Sequence, residues 1–74
     1  MNNAFIIQIR LDEKPTYFFH KPIDVDSVKI LSVLDDGTIL GAVDFDYYSE
    51  DNSLHFEPLP KKAIEYYLIL GRYS

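Results

Sequence analysis

The chain contains no cysteine and no tryptophan, only three glycines and a single methionine. Without cysteine there is no disulfide, no thiolate metal site and no cysteine nucleophile. Gly37, Gly41 and Gly71 stand alone, so no glycine-rich phosphate loop can form. No apolar run approaches the ~20 residues a membrane span needs. Met1-Asn2-Asn3 has no basic residue of the kind that opens a secretory signal. No membrane role is expected, and a cytoplasmic location is. Basic residues are also scarce: seven Lys and Arg stand against twelve Asp and Glu, a net charge of −5. Apolar residues, by contrast, make up 47% of the chain and Phe and Tyr 15%, which is too much for intrinsic disorder. A length of 74 residues fits one small domain, residues 1–74. With no covalent staple, its core, or a partner subunit, must hold it.

The acids are concentrated. Asp24, Asp26, Asp35, Asp36, Asp44, Asp46, Glu50, Asp51 and Glu57 lie in one stretch that holds a single base, Lys29. An acidic stretch repels phosphate, so direct nucleic-acid binding is disfavoured. The electrostatic partner it suits is a basic protein, such as the groove of a nucleic-acid-processing enzyme or complex.

Alternation at period two dominates the pattern. In residues 4–11, Phe5, Ile7, Ile9 and Leu11 share one face and Gln8 and Arg10 the other, which predicts a strand. Asp12–Pro15 reads as a turn, residues 16–21 as an aromatic second strand, and the two together as a hairpin. Asp36-Gly37 between apolar runs predicts a two-residue hairpin turn with positive φ. That turn would pair Leu34 with Ile39, Ser32 with Gly41, Ile30 with Val43 and Val28 with Phe45 on the core face. Val33 would face Leu40, Leu31 would face Ala42 and Lys29 would face Asp44 on the opposite face. A further turn at Glu50–Ser53 would pair Tyr47 with Phe56 and set Asp46 against Glu57. Phe45 and Phe56 are then expected in the core, and Asn52 is expected to tolerate glycine.

The C-terminal segment is ambiguous. Pro60 and Gly71 bracket a segment that fits a helix from about Pro60 to Leu70, with Ala63, Ile64, Tyr67, Leu68 and Leu70 as its buried stripe. Against this, Tyr66-Tyr67-Leu68-Ile69 favours a strand, and Lys61-Lys62 oppose the dipole at a helix start. The expected fold is α+β: an antiparallel meander of four or five strands closed by one C-terminal helix. The alternative is a small all-β barrel with residues 63–70 as its last strand.

Few residues point to catalysis. His20 and His55 are each expected on a strand, and no serine has the local signature of a nucleophile. Asp24/Asp26 and Asp44/Asp46 are spaced to share a strand face. The calcium-loop pattern fails from Asp44, because Ser49 stands at the required glycine and His55 at the terminal acid. No metal site, cofactor or enzymatic activity is therefore expected. The more informative group is Asp44, Asp46 and Tyr48 beside His55 and Glu57 on one outer face. A polar face of this kind can serve solubility alone. Uncompensated carboxylates beside a tyrosine also suit the recognition of cationic groups. The expectation is a non-enzymatic binding or inhibitor module, of the kind small acidic phage or mobile-element proteins supply, with Asp35 and Asp36 as secondary contacts. The competing expectation is a homo-oligomeric structural or small-ligand-binding module. Its interface would be Leu31, Val33, Leu40 and Ala42, apolar residues on an outward face, unless the C-terminal helix covers them.

Overall fold

The computed structural model describes residues 3–10, 16–58 and 64–74. Among these residues seven strands follow one another: β1 (Ala4–Arg10), β2 (Thr16–Phe18), β3 (Lys29–Leu34), β4 (Ile39–Val43), β5 (Phe45–Tyr48), β6 (Ser53–Phe56) and β7 (Ile64–Arg72), with one 3-10 turn at Val25–Ser27. They form two antiparallel sheets, ordered β1-β7-β3-β4 and β2-β6-β5. The alternating apolar residues of both sheets meet in one core that includes Phe5, Ile9, Ile30, Leu54, Phe56 and Ile69. The smallest extent of the molecule, 17 Å, fits two sheets packed about 10 Å apart.

The expected α+β meander is overturned: residues 64–72 are a strand, and there is no C-terminal helix. The segment lies between β1 and β3, so both edges of its backbone are hydrogen-bonded. It is one of the two interior strands of its sheet, and its inner side is apolar because the core covers it. Tyr67 and Ile69 point into the core while Tyr66, Leu68 and Leu70 point out. Gly71 is therefore not a helix stop. It faces Phe5 across the ladder, and a Cβ there would stand 2.8 Å from the Phe5 ring. The final strand of the all-β alternative is present, but in an open sheet of two, not a closed barrel.

The expected β1–β2 hairpin is also absent, because β1 pairs with β7 and β2 with β6. His20 lies in a bend beyond β2, not on a strand. The expected turn at 12–15, and residues Leu11, Pro60, Lys61, Lys62 and Ala63, lie outside the described residues.

The Asp36-Gly37 hairpin exists with a different tip. Leu34 N–H donates to Thr38 O at 2.9 Å and Gly37 N–H to Leu34 O at 3.0 Å, so the loop is the three residues 35–37. Only Gly37 takes positive φ there, at 89°. This moves the closing pair by one residue, and a bulge at Leu40 restores the register, so that Ser32 faces Gly41 and Ile30 faces Val43. Between tip and bulge, Val33 faces Ile39 instead of Leu40. Ile39 is thereby turned outward and is 57% exposed.

At the β5–β6 hairpin the pairing slips by two residues from the expected one. Phe45 faces Phe56, Tyr47 faces Leu54, and Asp46 faces His55, not Glu57. An even slip keeps every side chain on its expected face. Phe56 is buried, whereas Phe45 is only half-buried.

Two stability outcomes follow from this packing. Phe56→Ala is expected to cost about 3–5 kcal/mol and Phe45→Ala clearly less, read by urea unfolding. Gly37→Val is expected to cost about 1–3 kcal/mol, since a β-branched residue must adopt positive φ; an unchanged unfolding midpoint would contradict the tip geometry.

Candidate functional site

The site is assembled where the chain crosses from one sheet to the other. Asp44 lies between β4 and β5 and is exposed at this corner. Beyond it, Asp46 and Tyr48 of β5 point away from the core, because Phe45 and Tyr47 point into it. The outer face of the second sheet then has two rows: Asp46, His55 and Thr16, and next to them Tyr48, Ser53 and Phe18. Tyr48 is 47% and Phe18 62% exposed, whereas Ser53 between them is fully buried.

Hydrogen bonds fix this face. The Ser53 hydroxyl donates to Asp51 Oδ1, so it accepts from His55 Nε2–H at 2.9 Å. In the neutral ring, His55 Nδ1 then accepts from the Thr16 hydroxyl at 3.3 Å. Tyr48 packs edge-on against the His55 ring, with centroids 4.6 Å apart. The carboxylate is thus attached to the serine rather than to the histidine, and the serine is inaccessible. The group positions rings and does not present a nucleophile.

Asn52 fastens β2 to this hairpin. It has φ of 56° at the turn, and its Oδ1 accepts from Tyr47 Oη. Its Nδ2 donates to Phe19 O at 3.2 Å and Lys21 O at 2.6 Å, while Phe19 N–H donates to its backbone oxygen at 2.9 Å. The expectation that glycine would serve equally well is therefore corrected: glycine supplies the φ and none of the side-chain bonds.

A cavity of about 250 Å³ opens beside the two rows, lined by Asp44, Phe45, Asp46, His55, Phe56 and Glu57. The structure thus gathers four of the five outer-face candidates, and Tyr48 joins them through His55. Asp46 and Glu57 do not face each other, so the like-charge ladder pair expected from the sequence is absent. None of Asp44, Asp46 and Glu57 is in an ion pair among the described residues, where the ion pair present joins Arg72 to Asp24 at 2.8 Å. That pair accounts for Asp24, which lies beside the 3-10 turn and not on a strand with Asp26. No group of three His, Asp or Glu among the described residues is placed to hold a metal ion.

Asp36 has a local role. Its Oδ1 accepts from Thr38 N–H at 2.9 Å. Hydrogen bonding from the Thr38 hydroxyl and then from that N–H holds its carboxyl below the usual carboxylate range. A depressed value stabilises the tip above the ordinary carboxylate pKa, and this contribution is lost as the pH falls through the lowered one.

The four apolar candidates lie on the outer face of the other sheet. Leu31 faces Ala42 and Val33 faces Ile39, with Leu40 in the bulge. No helix among the described residues covers them; β7 adds Tyr66, Leu68 and Leu70 to the same face. Val33 is only 2% exposed although it is outside the core cluster.

Phe18 and Thr16 were not identified as site residues from the sequence. Alternation in Thr16-Tyr17-Phe18-Phe19 does put them on a common face. Their neighbour, β6, is set by a pairing far apart in the chain. No family model matches the chain, and neither curated proteins nor solved structures give a match. Among the described residues, no helix is long and apolar enough to cross a membrane.

Asn52→Gly is expected to destabilise by about 1–3 kcal/mol through the unpaired Tyr47 hydroxyl and the Phe19 and Lys21 carbonyls. Asn52→Ala is expected to cost about 1 kcal/mol more, from positive φ. Urea midpoints of both variants check the clasp, and equal midpoints for Asn52→Gly and parent would contradict it.

Proposed function

We propose that the protein is a non-enzymatic binding module that receives a basic side chain of a partner protein on the outer face of its second sheet. The observation that carries this reading is the arrangement of three carboxylates without ion-pair partners among the described residues, Asp44, Asp46 and Glu57. They stand around an open cavity of about 250 Å³, and the exposed Tyr48 ring packs against His55 of its lining, with exposed Phe18 further along the Tyr48 row. Carboxylates and aromatic faces together suit a guanidinium or ammonium group: the charge pairs with the acids while the cation lies over a ring. His55 is held by Thr16 and Ser53, so the ring against which Tyr48 packs is fixed before binding. Less ordering entropy is then lost on association. The same acids repel nucleic-acid phosphate. A partner whose basic groove normally holds nucleic acid would be blocked by such occupancy, which makes inhibition the finer form of this proposal.

Capture from the native cell followed by mass spectrometry identifies the partner. Titrations of parent, Asp46→Asn and Tyr48→Ala at two salt concentrations then test the face. Asp46 opposes His55 and lies on the surface, so Asp46→Asn should leave stability within about 0.5 kcal/mol. Affinity should fall by about 1–3 kcal/mol if the acid meets a desolvated cation, and the parent should bind more weakly at higher salt. Equal affinity of parent and Asp46→Asn at both salts would remove this face.

A further inference from the structure

The first sheet has a second face over which no other described element packs, and we infer that a second copy of the protein covers it, giving a face-to-face two-fold dimer independent of the acidic site. Two rows across β1, β7, β3 and β4 define this face: Arg10, Tyr66, Val33 and Ile39, and then Gln8, Leu68, Leu31 and Ala42. Ile6 and Leu70 extend the apolar surface into a third row, which ends on the exposed Lys29; Ile6 is 73% exposed. Strands buried on both sides read as continuous apolar runs, and β3 and β7 read so; one side of each faces the core, and on the other side Val33 is already buried while Leu31, Tyr66, Leu68 and Leu70 are half-buried. Four strands about 4.8 Å apart and roughly 20 Å long give a footprint of about 400 Å². Doubled over two copies this is about 800 Å², the size of a weak and reversible contact.

Charge placement selects a second copy over an unrelated partner. Arg10 stands at one corner of the face, and Asp35 and Asp36 stand at the other corner of the same end, past Ile39. Neither Arg10 nor Asp35 is in an ion pair among the described residues. A contact related by a two-fold axis must be complementary to itself. An axis parallel to the strands lays β1 over the partner's β4 and keeps like ends together. Arg10 then lies over the partner's Ile39 and reaches its acidic tip, while Leu68 meets the partner's Leu31 and Tyr66 meets the partner's Val33. An axis across the strands would instead set Arg10 over the partner's Ile6 and leave it with no acid.

Sedimentation equilibrium from about 5 to about 500 µM is expected to show a dimer for the parent. Ile6→Lys and Ile39→Lys alter exposed side chains, so they should stay folded by circular dichroism while dimerising at least about tenfold more weakly. Arg10→Asp should weaken the dimer several-fold, and Arg10→Asp with Asp35→Arg should restore it to within about threefold of the parent. Asp35 is chosen because Asp36 is committed to Thr38. A parent that stays monomeric throughout this range overturns the proposal and leaves the face to another occupant. Lysine variants that dimerise like the parent overturn it as well, and failure of the charge swap overturns the axis and its register.

Discussion

Everything in the first sheet depends on β7 being hydrogen-bonded on both edges. Its neighbours, β1 and β3, are the two ends of a long detour of the chain, and neither has the other to pair with. Removing β7 would leave β1 without any ladder and β3 with β4 alone. The same position explains its composition. A central strand must be apolar on whichever sides are covered, and Tyr67 and Ile69 cover the core side while Tyr66, Leu68 and Leu70 present the other. Phe5 lies over Gly71, where any side chain would collide with its ring.

The second sheet depends on the corner at Asp44. There the chain leaves the ladder with β3 and begins the ladder with β6. The corner keeps Val43 and Phe45 pointing into the same core from two different sheets. It therefore exposes Asp44 and places it near Asp46 and Glu57. The acidic cavity is a consequence of a strand changing sheets, with Asn52 and the His55 hydrogen bonds holding β2 and its Phe18 alongside. The two proposed surfaces lie on different sheets and carry different chemistry, one charged and aromatic, the other apolar. One can be occupied while the other is free.

Local patterning was legible to the extent that side-chain parity decides it. The sets Phe45, Tyr47, Leu54 and Phe56 inward and Asp46, Tyr48 and His55 outward survive a two-residue slip at the turn, because the strand period is two. At the Asp36-Gly37 tip the slip was one residue, which would have inverted β4. The Leu40 bulge absorbs it, and only Ile39 and its neighbour are displaced. The cross-strand pairing of Asp46 with Glu57 failed for the same reason that the face assignment held: parity fixes the side of the sheet and not the opposite number.

What the sequence by itself determined is the strand content between Val28 and Phe56, the faces of those strands apart from Ile39 and Leu40, the glycine-dependent tip and the acidic character of one surface; the break at Asp44, which removes the expected Val28–Phe45 and Lys29–Asp44 pairs, was not among them. Each rests on residues a few positions apart, where alternation and turn chemistry act directly. Only the tertiary structure decided that residues 64–72 are a strand, that β1 belongs beside β7 and β2 beside β6, and that Phe18 stands in a row with Tyr48. Helix and strand offer a short apolar segment similar local energies. The choice here is made by two rows of backbone donors and acceptors, on β1 and β3, that only a strand between them can satisfy.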